Sequence, residues 1–298
     1  MSGLVAVTGA TGRIGRRVVR HLAEAGAPVR ALGRDQEKLA ALPEKLAALP
    51  AEDTRTASYE DAEAMRAALD GADTLFLVSA HEGPGRVRTH ATAVDAAVAA
   101  GVRRIVYLSY LNAAPHATFT YARDHWHTEQ HIRSTGVAFT FLRDSTYQAD
   151  LAAMTSPEGV LRGPAGDGRV AAVAHDDIAD AATAVLLAAG HEHDSATYDM
   201  TGPEALSFVE IAAALSRASG RTVSYVLETR DEAYASRAVY DAPDWEVEGW
   251  ITSYEAVAVG EMDDVSDDVR TLTGHPPQSF EAFLAAHPRS YRHLLPPD

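Results

Sequence analysis

Between a short apolar run and an amphipathic one, the chain reads Val5-Ala-Val-Thr-Gly9-Ala-Thr-Gly12-Arg-Ile-Gly15. Three glycines spaced by three, after a strand and opening a helix, admit few architectures. Gly9 turns the chain sharply, Gly12 lets backbone approach a pyrophosphate with no Cβ in the way, and Gly15 lets the helix pack closely on the strand. The free N–H groups and positive dipole end of that helix then face the phosphates. Thr11, Arg13 and Ile14 lie in the same turn, so they join Gly9, Gly12 and Gly15 as expected cofactor contacts.

The pattern downstream agrees with a nucleotide-binding sheet. Strand-like runs fall at residues 4–8, 29–32, 55–57, 74–79, 104–109 and 138–142. Helical patterns lie between them at 13–26, 35–49, 61–69, 87–100 and 121–134, with Asp35 placed to cap the second and Pro43 to break it. Apolar strands alternating with helices imply a parallel sheet covered on both faces, and right-handed crossovers make it a doubly wound α/β sheet of Rossmann type. Ligands of such sheets bind beyond the C-terminal strand ends, which places Ser79 and Ser109 beside the bound ligand. After residue 150 the pattern changes. Residues 155–167 read as a loop, and helices (176–189, 207–218) mix with short strands (196–200, 222–227) before a mostly helical, acidic tail. The expected division is a nucleotide-binding domain over 1–150 and a smaller, mostly helical C-terminal lobe over 151–298, interleaved with the sheet.

Composition excludes several function classes. The 298 residues carry 26 Lys+Arg against 42 Asp+Glu, a formal charge of −16, which argues against a nucleic-acid partner. The chain has no Cys, so thiolate metal sites and cysteine nucleophiles are out. No apolar stretch is long enough to cross a membrane and the first residues show no secretory pattern, so a cytoplasmic protein is expected. The expected partner is a small-molecule substrate, with a homodimer left open. His127 and His131 are spaced i, i+4, yet Glu129 is not in H-E-x-x-H form and no third ligand follows, so no metal is expected. The ten acids between Asp241 and Asp268, with no intervening Lys or Arg, read as a solvated surface.

The stretch TGATGRIG resembles the atypical short-chain dehydrogenase/reductases. Leu32-Gly-Arg34, Ala57-Ser-Tyr-Glu-Asp61, the runs at 75–79 and 104–111, Phe141-Leu-Arg143 and the tail over 269–283 narrow the resemblance to the NmrA-like branch. Within that branch the chain is similar to the NADPH-quinone oxidoreductase and triphenylmethane reductase group. The resemblance spans nearly the whole chain and is specific for fold and cofactor, much less for substrate. It implies an NADPH-dependent oxidoreductase passing a hydride to a quinone-like or aromatic small molecule. NAD-preferring units usually end the second strand in an acid that accepts from the ribose 2′-OH. Here Arg34 follows Leu32-Gly33, and its planar fork suits a 2′-phosphate. NADP(H) is the expected cofactor, with Asp35 as counter-evidence unless it caps the helix. Ser58 stands where relatives often have an adenine-side Asp.

The resemblance also raises a difficulty. Standard short-chain reductases use Tyr-x-x-x-Lys, where this chain has Tyr121-Ala-Arg-Asp-His125, and the quinone-reductase Thr-Glu-Lys reads Thr128-Glu-Gln130. Lys38 and Lys45 are the only lysines in the sequence, far from this helix. Tyr121 and His125 remain the candidate acids, the latter because imidazole titrates near neutral pH. Tyr147 and His175 are expected to line the substrate side. Three readings stay open: direct hydride transfer to an acceptor needing little acid help, a carbonyl reductase using Tyr121 without the lysine, and a non-catalytic dinucleotide-sensing regulator.

Overall fold

The computed structural model describes residues 3–42 and 54–295. Among the described residues its main sheet has seven strands: β1 (Val5–Val7), β2 (Val29–Gly33), β3 (Thr54–Thr56), β4 (Thr74–Val78), β5 (Arg104–Tyr110), β6 (Ala138–Asp144) and β7 (Ala196–Met200). Their order is β3-β2-β1-β4-β5-β6-β7. The pairs β1–β2, β1–β4, β2–β3 and β4–β5 are parallel, with Val5 opposite both Val29 and Thr74. The order reverses between β1 and β4, which is where doubly wound sheets hold their ligands. Val5–Val7 is buried throughout, as a strand covered on both faces must be.

The chain forms two compact units. One comprises Met1–Tyr110, Asp124–Arg143 and Ile178–Tyr198, the other Leu111–Arg123, Asp144–Asp177 and Asp199–Asp298. In the first, Leu69, Leu75, Leu77, Ile105, Tyr107 and Phe141 pack in one core. In the second, helices Phe208–Ser219 and Arg230–Arg237 open with capping boxes, Ser207 with Glu210 and Thr229 with Glu232.

Most expected elements form within a residue or two of their sequence limits. The helix expected over 13–26 runs Gly15–Glu24, and that over 121–134 runs Thr120–Thr135. Asp35 does cap the second helix, its side chain accepting from the Lys38 N–H at 3.0 Å. That helix is described over Gln36–Ala40, while residues 43–49 of the expected 35–49 helix, Pro43 among them, lie outside the described residues. The loop expected over 155–167 is a correction: it contains a strand, Val160–Gly163, paired in parallel with Ser224–Leu227. Glycine, proline and serine marked the turns there correctly. The strand itself is made by a partner distant in sequence, which local composition does not encode.

Candidate cofactor and active site

The glycine turn is built as its spacing predicts. Gly9 sits at φ +58°, a conformation other residues rarely adopt. The Gly12 N–H bonds the Gly9 carbonyl at 2.8 Å, closing a tight turn. A Cβ on Gly15 would stand 2.3 Å from the Gly9 oxygen and 3.0 Å from that of Thr8, so the helix approaches the strand end at backbone contact. The helix begins at Ile14 with no capping side chain and no acid in its first turn. Asp35, Asp61 and Ser207 cap the helices that follow them, while the helix Arg86–Ala99 also opens with neither a capping side chain nor a first-turn acid. N–H groups left without a side-chain cap, beside exposed Gly12 and Arg13, suit an anion such as a dinucleotide pyrophosphate. Thr11 is half-buried in the same turn and Ile14 is buried beneath it.

The second strand end meets the same requirement. Arg34 is exposed just beyond β2. Asp35 is occupied by the Lys38 N–H and by the Lys38 ammonium at 3.2 Å. That double use, the backbone bond first, holds its carboxyl below the usual carboxylate range. The acid that argued for NAD is therefore committed to the helix. Ser58 is half-buried, its carbonyl accepting from Asp61 N–H.

Two expected site residues turn out to serve the protein interior. Ser109 is fully buried, and its hydroxyl donates to Glu129 Oε1 at 2.7 Å. Glu129, itself 0% exposed, takes a fork from Arg143 at 2.9 and 2.7 Å. The Ser109 hydroxyl is thus spent on a buried ion pair. His125 is 4% exposed, with Nδ1 2.9 Å from the Tyr107 hydroxyl. Burial, then the charge of Arg86, pushes its pKa well below the ordinary imidazole value. The expectation of a neutral-pH acid rested on an unperturbed imidazole, and burial removes that basis. Ser79, directly after β4, is half-buried.

The remaining candidates belong to the second unit. Tyr121 lies between Phe119 and Trp245, with ring centroids at 5.3 and 6.4 Å. Its ring rests against Gly249, where a Cβ would come within 2.4 Å. Its hydroxyl has a long bond, 3.4 Å, to the Trp245 carbonyl. Tyr147 donates its hydroxyl to buried Asp144, and its ring packs on buried His175 at 4.4 Å. His131 bonds Asp95 at 2.8 Å, so the i, i+4 histidines do not act as a pair.

Three polar residues escaped the sequence reading: Tyr59, Arg86 and His90. The Tyr59 hydroxyl lies 2.5 Å from Thr8 Oγ1 and 2.6 Å from the Val78 carbonyl, tying β1 to the end of β4. Burial raises its pKa well above the ordinary tyrosine value, against the Thr8 bond and the nearby Arg34 charge, so it stays a neutral donor. A signal for the other two existed. Arg86 and His90 stand at i, i+4, on the stripe that continues through Ala93, Val94 and Ala97, all buried.

The NmrA-like family profile matches residues 1–257. The NAD(P)H azoreductase of Xenophilus azovorans is 33% identical over 291 residues, 97% of this chain and 99% of that protein. Among solved structures, the NADPH-dependent quinone oxidoreductase of Escherichia coli complexed with NADPH superposes with a TM-score of 0.85. It is 30% identical over 95% of this chain and 99% of that one. The Citrobacter sp. triphenylmethane reductase complexed with NADP(H) gives a TM-score of 0.82, at 29% identity over 98% of this chain and 100% of its own.

Proposed function

The chain belongs to the NmrA-like family, and from that premise we propose that it is an NADPH-dependent oxidoreductase delivering hydride to a quinone-like or aromatic small molecule. The observation that carries the reading is the helix opened by Gly15, which lacks a side-chain cap and an acid in its first turn and stands beside exposed Arg13. NADPH, when bound, supplies the hydride; the chain binds and orients. Backbone N–H groups of Thr11, Arg13 and Ile14 hold the pyrophosphate, Gly12 lets it approach with no Cβ in the way, and Gly9 and Gly15 shape the turn. Arg34 takes the 2′-phosphate without competition from Asp35. Ser79 contacts the ribose side.

A quinone or an extended aromatic cation accepts hydride without leaving a localised alkoxide, so positioning matters more than a general acid. That suits a helix in which His125 and Gln130 replace lysines and burial holds His125 neutral. Tyr121, its ring packed between Phe119 and Trp245 and against Gly249, contributes a ring surface in this reading. Tyr147, its hydroxyl held by Asp144, likewise presents a ring on the substrate side, backed by His175. Among the described residues no helix is long and apolar enough to cross a membrane. We place the enzyme in the cytoplasm, where NADPH is kept reduced.

The test is steady NADPH oxidation with a panel of quinones and ketones, for wild type and Tyr121→Phe. The expected loss on quinones is about tenfold or less, short of the roughly 10²–10⁴-fold worth of a positioned acid. Ketone turnover that collapses on the order of a thousandfold in Tyr121→Phe would mean carbonyl reduction instead. NADPH binding with no turnover of either class would mean a dinucleotide sensor.

A further inference from the structure

The end of β4 is held by side chains. The Val78 N–H donates to Thr8 Oγ1 at 2.9 Å and its carbonyl accepts from Tyr59. Two residues on, the Ala80 N–H donates to His90 Nε2 at 2.8 Å, and the Ala80 carbonyl accepts from Arg86 Nε at 2.9 Å. Arg86 and His90 are 5% and 0% exposed, one turn apart on the helix Arg86–Ala99, so one helix face grips both sides of one peptide residue.

The proton positions follow from the partners. His90 accepts at Nε2, so its proton is on Nδ1 and is given to Thr128 Oγ1 at 2.9 Å. Thr128 donates in turn to the Asp124 carbonyl at 2.8 Å, and the Asp124 carboxylate faces Arg86 Nη1 at 3.9 Å. Burial, then the Arg86 charge, pushes the His90 pKa down to about 3, so the ring remains an acceptor at physiological pH. Burying an imidazole and a guanidinium beside a sheet costs free energy unless bonds are made; His90 Nε2 and Arg86 Nε make theirs to the Ala80 backbone just past Ser79, while Arg86 Nη1 is buried with no hydrogen bond and only the Asp124 charge nearby.

Strand ends of this kind border the ligand crevice of a doubly wound sheet. We propose that Arg86 and His90 are positioning residues for the dinucleotide. They fix the ledge formed by Ser79 and Ala80 without touching the cofactor themselves. The proposal rests on the cofactor reading above. It gives a role to two polar residues that an alanine-rich helix would not otherwise bury.

The experiment compares His90→Leu, which cannot accept from Ala80, with His90→Gln, whose Oε1 can. NADPH affinity is titrated by fluorescence well below each melting midpoint, and KM is measured separately for NADPH and for a quinone. His90→Leu is expected to raise the NADPH Kd and KM about tenfold, as for a buried donor left unsatisfied, with the quinone KM unchanged. His90→Gln is expected to restore most of the loss. Both variants melt earlier, so the melting temperature does not discriminate, whereas the affinity of the folded protein does. A folded His90→Leu with wild-type NADPH affinity, or a His90→Gln as impaired as the leucine variant, overturns the proposal. Should His90→Leu not fold, Arg86→Met removes the donor to the Ala80 carbonyl, and unchanged NADPH affinity there has the same force. Wild-type protein that fails to bind NADPH overturns the cofactor reading and the proposal together. Wild type that binds normally beside unaffected variants overturns the proposal alone.

Discussion

Replacing Gly15 with alanine puts a methyl group 2.3 Å from the Gly9 oxygen and 2.7 Å from its carbonyl carbon. Non-bonded atoms settle at roughly 3.5–4.0 Å, so the glycine turn or the helix must withdraw by about 1 Å. Both atoms are backbone, so no side chain can rotate away. Overpacking of this kind costs about 1–3 kcal/mol, and the better helix propensity of alanine returns less than about 1 kcal/mol at a first-turn position. The expected net loss is roughly 1–2 kcal/mol, a fall in melting temperature of about 2–3 °C for a chain of this size. The same displacement moves the N–H groups that the pyrophosphate needs, and losing one charged hydrogen bond weakens NADPH binding by about 10–100-fold. Gly12→Val provides the contrast. Gly12 is exposed and its Cβ meets only the Gly9 oxygen, at 3.1 Å. Stability should move by about 0.5 kcal/mol or so, as for a surface site, while cofactor binding is blocked. Differential scanning calorimetry and NADPH titration of both variants separate the two effects. A Gly15→Ala protein with wild-type melting and affinity would refute the close-packing argument. A Gly12→Val protein that binds NADPH normally would remove the pyrophosphate from this turn.

Arg34→Ala should abolish most of the preference for NADPH over NADH, about 1.5–3 kcal/mol; calorimetry showing equal wild-type affinities for the two would contradict the role of Arg34. Glu129→Ala leaves Arg143 and Ser109 without their shared partner. Because Arg143 keeps 22% of its side chain in solvent, the loss should sit at the low end for a broken buried pair, roughly 3 kcal/mol by urea unfolding. Stability should also decline in acid. His90 and His125 have folded-state pKa values far below the ordinary 6.5, so the unfolded chain takes up protons first as pH falls below that value. Their contribution is full above about pH 6.5 and is lost as pH falls below it, for His90 down to about pH 3, by up to about 1.4 kcal/mol per pH unit for each ring. Urea midpoints that stay flat between pH 7 and 5, or a His90→Gln variant with the wild-type slope, would rule this out.

The parts legible in the sequence were those written in local chemistry. The three glycines and the apolar strands specify their own turns and burial, and Asp35 specifies its own cap, because each depends on neighbours within a few residues. What stayed hidden depends on groups brought together from afar. Glu129 looks like a solvated helix acid until Arg143 and Ser109 arrive from two strands to bury it. His125 looks like a titrating imidazole until Tyr107 and the surrounding core strip its water. The strand at Val160–Gly163 exists only through its distant partner. Spacing along the chain cannot report whether an ionisable side chain ends up wet or dry, and that is what separates a catalytic histidine from a structural one.

With the dinucleotide seated as proposed, the start of the helix at Gly15 would tie the lifetime of the protein to its metabolite supply. A helix that carries no side-chain cap would acquire one when the dinucleotide arrives, and the nucleotide would act as a piece of the folded chain that the gene does not encode. A ligand at a hundred times its dissociation constant adds about 2.7 kcal/mol to the folded state by mass action. That is comparable to a core mutation in reverse. A cell rich in reduced dinucleotide would then hold more of this protein in a protease-resistant form than a depleted one, with no change in transcription. The turn that recognises the cofactor would thus also meter how much enzyme persists to use it.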